Sequence, residues 1–357
     1  MHKPTLLLLS AYRADSHAAW ADWLCSALER EIDWIRRELP GRHFRWRIRG
    51  NPLSWLDRLP RPAPDIILAT SMVDLATLRG LHPQLARVPA VYYFHENQFA
   101  YPVSQRQVDS VEPQVVQIYG ALSADRLAFN SAFNRDSFLD GIDALLRRMP
   151  DRVPAGIRER LAERSVVCPV PVRPIEGAAE RDARLIVWNH RWEYDKDPAL
   201  FTEAMIALAR TGRPFRLALL GPRPAQAPPA LARLRAELAD RIVADGKVTA
   251  ARYRALLGQA TIAVSTARHE FQGLAMLEAA AAGARPLVPD ALCYPEQYDA
   301  AYRYPPGDGA AVVARLQQWL DGALPPAPDV RRWHEDALRA DWCRLLGIDT
   351  AAAAESR

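Results

Sequence analysis

Short unbroken apolar runs alternate along this chain with longer segments whose apolar residues recur every three or four positions. That is the pattern of buried parallel strands separated by amphipathic helices. The first predicted strand is "TLLLL" (5–9). A helix is predicted from about Ser16 to Arg37, with Trp20, Trp23, Leu24, Ala27, Leu28 and Ile32 on one face. Further strands are predicted at "FRWRIR" (44–49), "DIILAT" (65–70), "AVYYF" (90–94) and "RLAFN" (126–130), with helices over 111–122 and 133–146. In 44–49 the alternation is strict: Phe44, Trp46 and Ile48 form one face of the expected strand, and Arg45, Arg47 and Arg49 the other.

The alternation breaks at "PVPVRPIEGAAERD" (169–182), a proline-rich, charged stretch that reads as a linker. It then restarts. Strands are predicted at 184–188, 215–221, 241–245, 261–266 and 284–289, and helices near 198–210, 228–239, 250–257, 273–282 and 308–321. Two successive βαβ series predict an α/β fold of two doubly wound, Rossmann-like domains facing across a cleft. The expected boundaries are 1–172, a linker at 173–183, and 184–328. An amphipathic segment at 329–346 would pack back towards the first domain, ahead of a disordered tail at 347–357.

Composition narrows the function classes. The 357 residues are 49% hydrophobic and 25% charged, as in a soluble globular protein. A net charge of +4 favours anionic partners without the polybasic character of a dedicated nucleic-acid protein, and no DNA partner is expected. Cys25, Cys168, Cys293 and Cys343 form no C-x-x-C pair, which argues against a zinc site and a disulfide scaffold and suits a reducing compartment. The first apolar run is too short for a signal segment or a membrane span, so a cytoplasmic protein is expected.

In such folds ligands bind at the carboxyl ends of strands, so the strand-to-helix loops hold the candidate chemistry. After the strand at 261–266 comes "ARHEFQGLAMLEAAAAGA", an apolar helix beginning near Gly273. The backbone N–H groups of Gly273 and Leu274 would offer a seat for phosphate. Glu270 stands just outside it and Glu278 inside, where a bare carboxylate is costly unless hydrogen-bonded. A nucleotide ribose would satisfy Glu278; an arginine partner or a solvated domain edge would do so equally. "WNHRWEYDKDP" follows the strand at 184–188 and offers Arg191 and Lys196 ahead of a helix capped by Asp197 with Pro198 in its first turn. A cationic pair there suits a diphosphate, and a solvated charged loop is the alternative. "DKD" is not taken as a metal motif, since Asp197-Pro198 starts a helix and no other acidic cluster accompanies it. After 90–94, "HENQ" places His95 and Asn97 at the mouth of the first domain, and Ser16 and His17 open the first helix, with Ser16 as its expected N-cap. No G-x-G-x-x-G occurs, which disfavours a nicotinamide dehydrogenase.

"HRWEYDKDP" and "HEFQGLAMLEA" resemble the Arg/Lys and E-x7-E signatures of retaining GT-B glycosyltransferases of the large family 4 type. Together with "YFHENQFAYPV", "FNSAFNRDSFL", "RWRIR" and "ATSMVDLATLRGL", they resemble the tRNA-queuosine mannosyltransferases over about residues 5–345. The resemblance implies transfer of mannose from GDP-mannose to queuosine in a tRNA anticodon with retention of configuration and no metal. It implies that Arg191 and Lys196 hold the donor diphosphate, with backbone donors from Gly273 and Leu274 beside Gln272. Glu278 would bind the ribose and Glu270 the sugar, and His95 would reach the sugar from the opposite domain. "YRADSH" departs from the glycine-rich first loop of the family, and Asn189 stands where the family pattern has proline. The arginine row at 45, 47 and 49, with Asn51, Asn97, Ser16 and His17, supplies candidate acceptor contacts on RNA phosphates; a solubilising edge strand is the alternative. Two other readings stay open: a family 4 transferase with another donor and a glycan, lipid or small-molecule acceptor, and a catalytically silent nucleotide- or RNA-binding protein.

Overall fold

The computed structural model describes residues 3–101, 110–178, 180–223 and 228–348. Over these residues the chain forms two compact units. One comprises the chain up to Val170 and again from Leu338 onward; the other is Pro171–Ala337.

The first unit runs β1 (Thr5–Arg13), α1 (Asp15–Ala27), β2 (Asp33–Pro40), α2 (Phe44–Ser54), β3 (Ile66–Thr70), α3 (Leu75–Leu81), β4 (Ala90–Phe94), α4 (Glu112–Ser123), β5 (Arg126–Phe129), α5 (Ala132–Leu146), α6 (Ile157–Ala162) and β6 (Ser165–Val167). Its six strands are parallel in the order β2-β1-β3-β4-β5-β6. Leu6 to Leu9 and all of β4 are buried, because central strands of a parallel sheet are covered on both faces.

Two sequence expectations fail in this unit. The helix expected over 16–37 ends at Ala27, and Asp33–Pro40 is an edge strand. Its polar "IRRE" stretch carries no strand signal of its own. Arg36 bridges Asp22 and Glu38 at 2.7 Å each, and Arg13 joins the same two carboxylates at 3.0 and 2.5 Å. "FRWRIR" is then not a strand but the opening of α2. Its buried positions include Ile48, Asn51 and Pro52, a helical spacing that outweighs the two-residue alternation. Arg45, Arg47 and Arg49 are therefore not one row: Arg45 and Arg49 share a face, and Arg47 points away from it. Asn51 also leaves the surface. Its amide donates to the Met72 carbonyl at 3.1 Å and its oxygen accepts from Asp74 N–H at 3.2 Å, tying α2 to the loop after β3.

The second unit runs β7 (Asp182–Trp188), α7 (Pro198–Arg210), β8 (Arg216–Leu220), α8 (Pro229–Leu238), β9 (Ile242–Gly246), α9 (Ala250–Gln259), β10 (Ala260–Val264), α10 (Leu274–Ala281), β11 (Arg285–Pro289), β12 (Arg303–Tyr304) and α11 (Gly309–Leu320), ending in the first residues of α12 (Glu335–Leu346). The parallel order is β12-β11-β10-β7-β8-β9, so the winding reverses between β7 and β10. The two six-stranded sheets bear out the doubly wound α/β class. Val172, which the expected boundaries put at the end of the first domain, pairs with His334 and belongs to this unit. From Leu338 on, α12 belongs to the first unit, where Trp342 packs against Trp20, Trp23 and Tyr93. The expected tail lies outside the described residues from 349. Among the described residues no helix is long and apolar enough to cross a membrane.

Candidate active site

The reversal between β7 and β10 opens a crevice at the carboxyl ends of these neighbouring strands, and their loops are knitted together. Arg268 and His269 N–H groups donate to the Asp195 carbonyl at 2.8 and 3.2 Å. The Thr266 hydroxyl donates to the Lys196 and Asp197 carbonyls at 2.8 and 3.1 Å. Lys196 is thereby delivered, almost fully buried, to Glu270: Nζ lies 3.0 Å from Glu270 Oε2 and 3.2 Å from Asp195 Oδ2, and donates to the His269 carbonyl at 2.8 Å. Burial alone would disfavour the ammonium, but Glu270 and Asp195 overcome it and lift the lysine pKa above its ordinary value. Burial likewise opposes the Glu270 carboxylate, yet Lys196 and then His190 hold it down at about 2. His190 and His269 are pushed down to about 4, first by burial and next by the Lys196 charge, so both are neutral at pH 7. Lys196 and Glu270, 74 residues apart in sequence, thus form one ionised pair.

Asp197 accepts from Leu200 N–H at 3.1 Å as the N-cap of α7, and it also receives Arg268 Nε at 2.6 Å. With Asp195 at Lys196, both acids of "DKD" have protein partners. Among the described residues no group of three or more His, Cys, Asp or Glu is arranged to hold a metal ion.

Gly273 caps α10 with φ +65°, a left-handed geometry that admits few other residues. Met276 and Leu277 N–H groups turn back onto its carbonyl at 2.9 and 3.0 Å. The amides of Gly273, Leu274 and Ala275 are then the ones facing out of the helix start. Gln272 is buried, and its carbonyl accepts from the Gln297 amide at 2.6 Å, which fixes the approach to the helix. Arg191 lies on the same loop as Lys196 but is half exposed, with its guanidinium 3.5 Å from Glu193.

Glu278 has a protein partner that the sequence did not disclose. The Tyr253 hydroxyl, on α9, donates to its Oε2 at 2.6 Å. Asn189 donates in turn to the Tyr253 oxygen at 3.0 Å and to the Ala275 carbonyl at 2.8 Å. The residue standing in place of the family's proline therefore braces both the tyrosine and the first turn of α10. Burial raises the Glu278 pKa, and the Tyr253 hydrogen bond opposes that rise. The partner of this acid is a tyrosine, in place of the arginine or the solvated edge that the sequence also allowed. Tyr253 carried no motif; its position was readable only as one turn of an ordinary amphipathic helix.

In the first unit, His95 follows β4 and stacks on His17 with ring centroids 4.1 Å apart, against the edge of Trp20. Its Nε2 is buried without a hydrogen-bond partner among the described residues. Burial first, and His17 second, hold His95 well below the ordinary histidine pKa. His17 Nδ1 contacts the Tyr12 carbonyl at 2.8 Å. Ser16 is exposed but is not the N-cap: α1 begins at Asp15, and Ala14 occupies the cap without a side-chain bond. Asn97 is wholly buried, its amide 2.9 Å from the Asn134 and Ser137 side-chain oxygens and its own oxygen accepting from Phe99 and Ala100 N–H groups. That side chain shapes the loop after β4 and offers no exposed surface for a phosphate contact. Arg49 is held by Asp74 at 2.5 Å and Glu112 at 3.3 Å, whereas Arg45 is exposed.

Comparisons with known proteins place these observations. A family model for the tRNA-queuosine alpha-mannosyltransferase N-terminal region matches residues 5–172, and one for glycosyl transferases group 1 matches residues 183–322. The chain is 34% identical over 310 residues to a tRNA-queuosine alpha-mannosyltransferase of Drosophila melanogaster, covering 83% of this chain and 82% of that protein. Among solved structures, Anabaena HepE in complex with UDP aligns with a TM-score of 0.69 at 13% identity, over 97% of this chain and 100% of that one. Sucrose-phosphate synthase from Thermosynechococcus elongatus aligns with a TM-score of 0.67 at 16% identity, over 97% and 95%. At such identities these two structures speak for the fold alone, which is GT-B. The chain is a glycosyltransferase and belongs to the tRNA-queuosine alpha-mannosyltransferase family.

Proposed function

We propose that this protein transfers mannose from GDP-mannose to a queuosine hydroxyl in tRNA with retention of configuration. The observation that carries the donor half is the ionised Lys196–Glu270 pair beside the open amides of α10, at the point where the winding of the sheet reverses. The acceptor half is supported by the Drosophila melanogaster relative and the N-terminal family match.

In this reading Lys196, Arg191 and the amides of Gly273 and Leu274 meet the charge of the donor diphosphate. Glu270 accepts hydrogen bonds from sugar hydroxyls, and Glu278, braced by Tyr253, accepts from the ribose. The bond from the anomeric carbon to the diphosphate oxygen breaks, and a bond to the queuosine oxygen forms on the same face. The proton of that hydroxyl passes to the departing diphosphate. The protein contributes position and fixed charge, both already set by folded partners.

The test is transfer of labelled mannose to queuosine-containing tRNA from a panel of sugar nucleotides. GDP-mannose is expected to label this tRNA and to leave the same tRNA lacking queuosine unlabelled. No label from any donor would overturn the proposal. Within it, Tyr253→Phe is expected to raise donor KM about ten-fold or more, since a hydrogen bond to a charged group is lost, with kcat little changed. GDP-mannose lacking both ribose hydroxyls should show no further loss in that variant. An equal loss with both donors would mean that Tyr253 acts only on the fold.

A further inference from the structure

The first unit carries an exposed tryptophan that packing does not explain. Trp46, in the first turn of α2, keeps 58% of its surface exposed although it is among the largest apolar side chains. It is not loose. Its six-membered ring rests on Gly50 one turn along, so closely that a Cβ there would meet ring carbons at 2.4–2.7 Å. The helix thus keeps a glycine where only a glycine lets the indole lie against the backbone. Leu53, seven residues on, shares this face and is 61% exposed.

The surroundings are cationic. Residues 36–61 hold eight arginines and only two acids, Glu38 and Asp57. Arg36 and Arg49 pair with acids of the fold, and Arg42, Arg45 and Arg58 keep exposed surface. The location is specific too. α2 follows β2, so its first turn lies at the carboxyl edge of the sheet, and Phe44 touches Tyr12, whose carbonyl meets His17, which stacks on His95. The tryptophan face therefore lies on the same edge of the unit as the two candidate histidines.

We propose that Trp46 is a stacking platform for an unpaired nucleobase of the acceptor RNA, with Arg42 and Arg45 meeting its flanking phosphates. An exposed aromatic ring on an arginine-rich segment is the combination that binds single-stranded RNA. A bilayer surface fits less well: α2 turns Ile48, Asn51 and Pro52 inward, leaving an exposed apolar strip too narrow for an interfacial helix. The inference rests on the tRNA reading above.

The test uses the full chain with queuosine-containing tRNA. Trp46→Ala is expected to weaken tRNA binding about ten-fold, within the range for loss of one base–aromatic stack. Its slope of log affinity against log salt should stay unchanged, with donor KM unaffected, and Trp46→Phe should recover most of the affinity. Arg45→Gln is expected instead to flatten the salt slope by about 0.7 to 0.9. Wild-type tRNA affinity in Trp46→Ala would overturn the platform. So would Trp46-dependent flotation with phosphatidylserine vesicles, which would assign the face to a membrane. If the wild-type protein itself fails to transfer mannose to tRNA, the acceptor reading is what has failed, and the two failures are read from different proteins.

Discussion

Lys196→Met is expected to reduce kcat about 10²- to 10³-fold, the effect of removing one fixed charge from a site that stabilises a developing anion. The substitution keeps the length and apolar stem of the lysine and removes only the ammonium. It also has a structural effect. Glu270 and Asp195 lose the cation between them, and a buried pair broken on one side costs about 3–5 kcal/mol. The loss of activity therefore needs separating from a loss of fold. In the double variant Lys196→Met/Glu270→Gln one of the two uncompensated carboxylates is gone and Asp195 keeps the other, so thermal stability should recover in part while transfer stays abolished. Recovery of both would show that the pair serves the fold alone.

The same pair sets a pH dependence. Glu270 has a folded pKa of about 2, below its ordinary 4.5, so its contribution to stability is present above pH 4.5 and is lost as pH falls towards 2. Lys196 is shifted the other way, above 10.5, so its contribution is present below that pH and is lost as pH rises beyond it. The stability difference between wild type and the double variant should be flat from about pH 7 up to the lysine limit and change outside that window, the lower side including His190 and His269, whose shifts Lys196 helps to cause, as measured by denaturant unfolding across pH.

Gly273→Ala is the second large effect. At φ +65° an alanine is strained, and its Cβ would come within 2.8 Å of Tyr294 Cε1. That ring cannot retreat freely, because Tyr294 is fully buried and its hydroxyl is 2.9 Å from Ser265 Oγ at the end of β10. Strain and overpacking together are expected to cost about 2–4 kcal/mol. Donor KM should rise more than ten-fold as the amides at the start of α10 are displaced. Gly212→Ala is the matched control: φ is +78° there, but nothing lies within 4 Å of the added methyl group. It should show only the backbone part of the destabilisation and bind donor normally. Equal donor affinity in Gly273→Ala would remove the helix start from the donor site.

What could be read from the sequence follows how each element is held. β1 and β4 are continuous apolar runs because both faces are covered, and that signal is local. α7 was equally plain, since Asp197 and Pro198 mark its first turn whatever packs against it. β2 was hidden because an edge strand stabilised by an ion network can be polar, and the residues completing that network, Arg13 and Asp22, lie on other elements. Once β2 was missed, the alternation in 44–49 claimed the vacant strand, and the arginine row followed from that error. The site shows the same division. Lys196, Glu270 and Gly273 announced themselves by their loops. Tyr253 could not, because its role exists only when α9 lies beside α10 and Asn189 reaches across from β7.

The central claim is that this donor site delivers mannose to queuosine, and nucleoside mass spectrometry tests it most directly. Queuosine-containing tRNA is incubated with GDP-mannose and either the wild-type protein or Lys196→Met, then digested to nucleosides. The account predicts conversion of queuosine to its mannosylated form by the wild-type protein and almost none by the variant. Unconverted queuosine with the wild-type protein, or mannose on any other nucleoside, would contradict it.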